Sequence, residues 1–235
     1  MQIVILCGGL ATRLRPITKK IPKSMVRIFG KPFLEYQLEL LKKNKIKDIV
    51  LCIGYKGEQI KKYFRNGKKF GVNIKYSSDG KKLLGTGGAL KKAESLLEDP
   101  FMVMWGDSYL PFNFQKAINF FKKHKKLGLM TVYRNENRIE PSNVEVRGNL
   151  VAAYSKKRKT KRMKYIDYGL SIFRKEVLKY IPKNQFYDLS KLNQLLIRKK
   201  QLLAFEVKRR FYQIGNFEGL KEFQEYIKRK LPRDS

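Results

Sequence analysis

Through the first half of the chain, short β-branched apolar runs alternate with segments whose apolar residues recur at helical spacing. The runs Gln2–Cys7, Ile49–Ile53, Val72–Tyr76, Phe101–Trp105 and Gly128–Arg134 have the length and residue types of buried strands. Between them, Pro32–Lys43 places Phe33, Leu34, Leu38 and Leu41 on one helical face. Glu58–Phe64, Ala89–Leu97 and Asn113–Lys126 read as helices by the same spacing. Strand and helix in alternation predict an α/β fold, a sheet crossed by helices. The second half is less regular. Val144–Val146, Val151–Tyr154 and Tyr165–Phe173 suggest antiparallel strands added to that sheet, with helices over Lys175–Tyr180, Leu189–Lys199 and Phe217–Lys230. There is no Pro/Ser-rich linker and no internal repeat, so residues 1–230 read as one domain, with a polar, frayed tail at 231–235.

The first strand ends in Gly8-Gly9-Leu10-Ala11-Thr12-Arg13-Leu14-Arg15-Pro16, and Pro22-Lys23-Ser24-Met25 follows closely. Paired glycines let the backbone approach a ligand without Cβ interference. Arg13, Arg15 and Lys23 then gather where the strand ends of a parallel sheet hold ligands, a device suited to a polyphosphate. Two familiar phosphate loops do not fit. A P-loop needs four residues between its glycines and then Gly-Lys-Ser/Thr. The dinucleotide fingerprint needs a third glycine, which does not follow here.

What remains, Gly-Gly-x-Ala-Thr-Arg-Leu with a later Pro-Lys, resembles the signature of the sugar-1-phosphate nucleotidyltransferases. That signature runs Gly-Gly-x-Gly-Thr-Arg-Leu-x-Pro-x-Thr, then Pro-Lys-Pro-Met; here Ala11 replaces a glycine, Ser24 a proline, and Thr18 holds the threonine position. Leu84-Gly85-Thr86-Gly87-Gly88-Ala89-Leu90 is similar to the family's Leu-Gly-Thr-Ala/Gly-Gly-Ala-Leu element beside the nucleobase. Gly106-Asp107, after a hydrophobic strand, matches its Gly-Asp.

The resemblance implies a three-layer, Rossmann-like nucleotidyltransferase fold, a mostly parallel mixed sheet flanked by helices. It implies a nucleotide-binding half at about 1–135 and a sugar-phosphate-binding half at about 136–230. The implied reaction moves NMP from an NTP to a sugar-1-phosphate, releasing pyrophosphate and giving an NDP-sugar for cell-surface glycan synthesis. Leu6, Gly8, Gly9, Gly85 and Thr86 would then bind nucleotide, and Arg13 would neutralise the leaving pyrophosphate. Lys23 would bridge the attacking and α-phosphates, and Asp107 would hold Mg²⁺. Asn143, Asp167 and the Gly169 backbone would meet sugar hydroxyls, and Lys156 the sugar phosphate. The chain departs from the pattern at Ser155, where the family has an acid beside that lysine, and at Gln213, where it commonly has a second aspartate ligand. An amide oxygen adds no charge to hold a hard dication. Neither the base nor the sugar is legible, and a non-sugar acceptor such as phosphocholine or a catalytically silent regulatory relative stays open.

Net charge is +33, which by itself suits nucleic acid. The paired lysines are spread evenly, however, and no RNA-recognition or helix-turn-helix signature accompanies them. The reading is therefore an NTP and sugar-phosphate binder, with a nucleic-acid-binding protein kept as the rival that the charge favours and a homo-oligomer left open; the positive field draws in such anions. The densest cluster, Ser155–Lys164, has seven basic residues in ten and reads either as a basic loop over the site or as a solvated one. Cys7 and Cys52 lie in apolar runs and give neither disulfide framework nor metal spacing. No run reaches the roughly 18–20 apolar residues of a membrane helix. The first residues open directly on a core strand, so the expectation is a cytoplasmic protein without a secretory leader or membrane contact.

Overall fold

Along β1 (Ile3–Leu6), alternate side chains enter two different cores: Ile3 and Ile5 join one, Val4 the other. That period of two forces a layer of helices against each face of the sheet. The computed structural model describes residues 1–80 and 82–231, so the expected tail at 232–235 lies outside the described residues. After β1 come the hairpin β2 (Arg27–Ile28) and β3 (Lys31–Pro32), then β4 (Asp48–Ile53), β5 (Asn73–Ser78), β6 (Phe101–Trp105) and the short β7 (Ser108–Tyr109). The remaining strands are β8 (Gly128–Arg134), β9 (Val144–Arg147), β10 (Leu150–Tyr154), β11 (Tyr165–Phe173), β12 (Leu202–Glu206) and the short β13 (Tyr212–Gln213).

Nine of these form one sheet in the order β5-β4-β1-β6-β11-β8-β12-β10-β9. Only β10 and β11 run against the other seven, which makes the sheet mixed but mostly parallel. The helices are α1 (Ile17–Lys20), α2 (Phe33–Lys43), α3 (Gly57–Phe64), α4 (Gly85–Lys92), α5 (Phe114–Lys122), α6 (Leu189–Arg198) and α7 (Phe217–Lys228). α2, α3, α5 and α7 pack on the Ile3/Ile5 face, and α4 and α6 on the Val4 face. Phe223 of α7 meets Phe33, Tyr36 and Tyr109 with ring centroids 5.1, 5.7 and 5.0 Å apart, fixing α7 and the turn before it to the sheet.

The expected strands and most helices recur within a few residues of their predicted ends. α4 differs: it begins at Gly85, inside the glycine motif, and stops at Lys92, leaving a 3₁₀ turn at Glu94–Leu96. Lys175–Tyr180 is likewise a 3₁₀ helix. β12 is absent from the expectation because Leu-Leu-Ala-Phe has no alternation; it is buried by insertion between β8 and β10.

Candidate active site

The carboxyl ends of β1, β4, β5 and β6 open into a cavity of about 360 Å³. Its lining includes Leu6, Gly8 and Gly9. Gly8 lies hard against the β4 loop: a Cβ on Gly54 would stand 2.8 Å from Gly8 O, and Tyr55 N–H donates to that oxygen at 3.2 Å. A Cβ on Gly9 would meet nothing within 4 Å, so this backbone is open to a ligand. Ala11 sits in the left-handed region at φ 51°, which explains a glycine at this position of the signature. Its carbonyl accepts the Thr18 hydroxyl at 2.7 Å. Ala11→Gly relieves strain while loosening the unfolded chain, for a net gain of about 0.5 kcal/mol. A small rise in denaturant midpoint at constant m checks this; a fall would contradict it.

Lys23, in the 3₁₀ turn Lys23–Met25, donates from Nζ to Asp107 Oδ2 at 2.7 Å, with the two side chains 20% and 29% exposed. Asp107 follows β6 and is fixed through its backbone, its carbonyl accepting Ile214 N–H at 2.9 Å. Its Oδ1 accepts the Ser108 hydroxyl at 3.3 Å. Arg13 is exposed and lies outside the cavity lining. Its Nη2 is 3.2 Å, and Asp107 Oδ2 3.7 Å, from the point where a Gly215 Cβ would stand. Arg13 and Asp107 thus flank the Gly215 turn, and Lys23, bonded to Asp107, joins it in the cavity lining.

Three strand intervals separate β5 from β6, roughly 14 Å. At the far end, past β5, stands Asp79, a residue that belongs to none of the sequence motifs. It is 9% exposed, and its Oδ2 accepts Leu84 N–H at 3.2 Å. Burial raises its carboxyl above the ordinary aspartate range, against the pull of Leu84 N–H and Lys92. Leu83, Gly85 and Thr86 line the same end. Thr86 Oγ1 accepts Leu189 N–H at 2.8 Å, so this oxygen holds the start of α6. The signal available in the sequence was an acid directly after a buried strand.

Asn143, Lys156, Asp167 and Gly169 lie outside the lining of this cavity and form a cluster around Trp105, which does line it. Asn143 Oδ1 accepts Asp167 N–H at 2.9 Å, and Gly169 N–H donates to Asp167 Oδ1 at 3.0 Å. The Gly169 N–H expected to meet a sugar hydroxyl is therefore engaged within this cluster. Gly169 has φ +107° and sits in the irregular stretch of β11 between Asp167 and Ser171, where only glycine is unstrained. Burial pushes the Asp167 carboxyl up, while Gly169 N–H and Lys156 draw it down. Lys156 Nζ lies 5.2 Å from the Trp105 ring centroid. It also acts on Asp188, the N-cap of α6, whose burial is outweighed by its bonds to Ser190 and whose carboxyl falls below the ordinary range. Beyond Lys156 the basic loop is exposed except for Met163, so most of its charge is solvated.

Residues 2–230 match the family model described as nucleotidyl transferase. The chain belongs to the nucleotidyl transferase family. It is 34% identical over 208 residues to a UTP–glucose-1-phosphate uridylyltransferase of Synechocystis sp., covering 80% of this chain and 53% of that protein. It is 47% identical over 116 residues to the D-glycero-alpha-D-manno-heptose 1-phosphate guanylyltransferase of Campylobacter jejuni, covering 49% of this chain and 52% of the relative. In these matches the chain spans about half the length of either relative. Among solved structures, HddC from Yersinia pseudotuberculosis complexed with GMP-PN superposes with a TM-score of 0.81 at 27% identity, over 96% of this chain and 99% of that one.

At position 213 this chain does not present a metal ligand. The Gln213 Oε1 accepts Gly215 N–H and its Nε2 donates to Asn216 Oδ1, so the amide is folded into the turn before α7. Among the described residues no three His, Cys, Asp or Glu side chains cluster as a metal cage. One carboxylate, Asp107, at the cavity lining fits the donor set of Mg²⁺, which binds through one or two carboxylates plus substrate phosphates. No helix among the described residues is long and apolar enough to cross a membrane.

Proposed function

We propose that the chain transfers a nucleoside monophosphate from an NTP to a sugar-1-phosphate, and that the base is guanine. The observation that carries the chemistry is the Lys23–Asp107 pair at 2.7 Å beside the open Gly9 backbone. The acceptor phosphate oxygen attacks the α-phosphorus as the bond to the β-phosphate oxygen breaks and pyrophosphate leaves. That acceptor is an anion at neutral pH, so no general base is needed. The single histidine, His124, lies after α5 with Nδ1 2.8 Å from Phe120 O, away from the cavity. Catalysis is positioning and charge neutralisation. Lys23 exchanges part of its bond to Asp107 for the phosphates entering beside it, and Arg13 faces the leaving pyrophosphate. Asp107 would hold Mg²⁺, which supplies further neutralisation of phosphate charge when bound. Lys156 receives the sugar phosphate, with Asn143, Asp167 and the Gly169 turn shaping the wall behind it.

Asp79 favours guanine. Guanine alone among the common bases presents adjacent N1–H and N2–H donors on its Watson–Crick edge, which a carboxylate accepts in a charge-assisted pair. Adenine, cytosine and uracil each place an acceptor there, facing the negative charge. The guanylyltransferase name of the Campylobacter jejuni relative supports this base. Asp79→Asn should lower kcat/KM for GTP about a hundredfold. Because burial raises the Asp79 carboxyl, the wild-type KM for GTP should climb as pH falls through that raised value, and the Asp79→Asn variant should lack that climb. Unchanged GTP kinetics in the variant would remove Asp79 from base recognition. Screening four NTPs against a panel of sugar-1-phosphates by pyrophosphate release tests the whole reading. The expected result is release that requires both substrates and is greatest with GTP; release with no dependence on the sugar phosphate would refute it.

A further inference from the structure

The glycines of the Gly85–Gly88 turn answer first to a neighbour within the chain. A Cβ on Gly87 would stand 2.6 Å from Tyr187 Cδ1, and one on Gly88 2.5 Å from Gln185 O. One on Gly85 would stand 2.9 Å from Tyr187 O and 3.0 Å from Phe186 Cε2. Gly87 N–H and Gly88 N–H both donate to Tyr187 O, at 2.8 and 3.1 Å, and Tyr187 N–H donates to Leu84 O at 2.8 Å. With the Thr86–Leu189 bond, which joins residues 103 apart, these contacts seal the 185–189 segment onto the first turn of α4. The missing Cβ atoms are what allow so close a dock.

The ring at the centre of this docked segment is left outside. Phe186 is 68% exposed, the most exposed large hydrophobic side chain among the described residues, yet its neighbour Tyr187 is bonded through both N–H and C=O and the Gln185 carbonyl lies hard against Gly88. It lines the cavity at the end that also holds Asp79, Leu83, Gly85 and Thr86. A fixed backbone that holds an aromatic face at the lip of a cavity suits a flat ligand ring, because a ring presented in advance loses little freedom on stacking.

We propose that Phe186 is the stacking platform for the nucleobase, held in place by the α4 glycine turn. Its ring covers the face of the purine whose edge meets Asp79. Stacking reads area rather than hydrogen-bond pattern, so Phe186 adds affinity for purines over pyrimidines while Asp79 selects among them. This rests on the nucleotide reading of the cavity.

The test is calorimetric binding of GTP with Mg²⁺, and separately of inorganic tripolyphosphate with Mg²⁺, to wild type and three Phe186 variants, with Gly88→Ala added in the GTP measurement. Phe186→Ala and Phe186→Leu should weaken GTP binding on the order of tenfold to a hundredfold. Phe186→Tyr keeps the ring and should stay within about threefold of wild type. Tripolyphosphate, which has no base, should bind all four proteins alike. Phe186 is exposed, so unfolding midpoints should not move, and a folding defect will not obscure the comparison. Gly88→Ala, which pushes on Gln185 O without touching the ring, should reproduce the loss for GTP. GTP binding by Phe186→Ala equal to wild type overturns the proposal, as does an equal loss for tripolyphosphate. A wild-type protein that binds no GTP overturns the nucleotide reading itself.

Discussion

Replacing Lys23 by alanine lowers turnover by about two to three orders of magnitude while the protein stays folded. The size follows from the loss of one preorganised donor aimed at charge that grows in the transition state. The fold survives because the pair is partly exposed, at 20% and 29%, so the Asp107 left behind is solvated rather than buried without a partner. Lys23→Arg should recover only part of the rate, since a guanidinium fork cannot occupy the place of a compact ammonium beside Asp107. Steady-state kinetics with both substrates saturating, alongside circular dichroism, checks this. Near-normal turnover in Lys23→Ala would sink the assignment.

Asp107→Asn has the larger effect, a loss of about a thousandfold in kcat/KM at moderate Mg²⁺. It keeps the side-chain shape and the backbone bond to Ile214 but removes the one carboxylate placed among Arg13, Lys23 and the Gly215 turn. A second readout separates lost charge from altered packing. The Mg²⁺ concentration for half-maximal rate should rise in Asp107→Asn and fall several-fold in Gln213→Asp, because ligand charge governs affinity for a hard cation. An unchanged Mg²⁺ requirement in both variants would place the metal elsewhere.

The proposed phosphate end of the site is legible as a candidate because its residues are packed into two short motifs around one strand end. Gly8, Gly9, Arg13 and Lys23 carry charge and backbone freedom in patterns that few other functions require. The proposed base end is less legible. The Gly85–Gly88 turn suggested contact with a base, but its tight packing is against Gln185–Tyr187, roughly a hundred residues later, and a single sequence does not display that pairing. Asp79 and Asp188 are acids at ordinary positions, a strand end and a helix cap, and acquire meaning only from what the sheet brings beside them. Gln213 shows the converse. The substitution is visible in the sequence, but its consequence, an amide turned into its own loop, is visible only in three dimensions.

The architecture follows the same division. Strands with strong apolar content, such as Phe101–Trp105 and Gly128–Arg134, have their predicted bounds. β12 depends on insertion between β8 and β10, and the early start of α4 depends on the docked 185–189 segment. Tertiary context decides both.

Phosphorus NMR of the protein incubated with GTP, Mg²⁺ and, in turn, each of a panel of sugar-1-phosphates tests the central claim most directly. The account predicts two coupled resonances of a new pyrophosphate diester, the GDP-sugar, appearing in step with free pyrophosphate. GMP or GDP accumulating with no diester, or GTP recovered intact with every sugar phosphate tried, would contradict it.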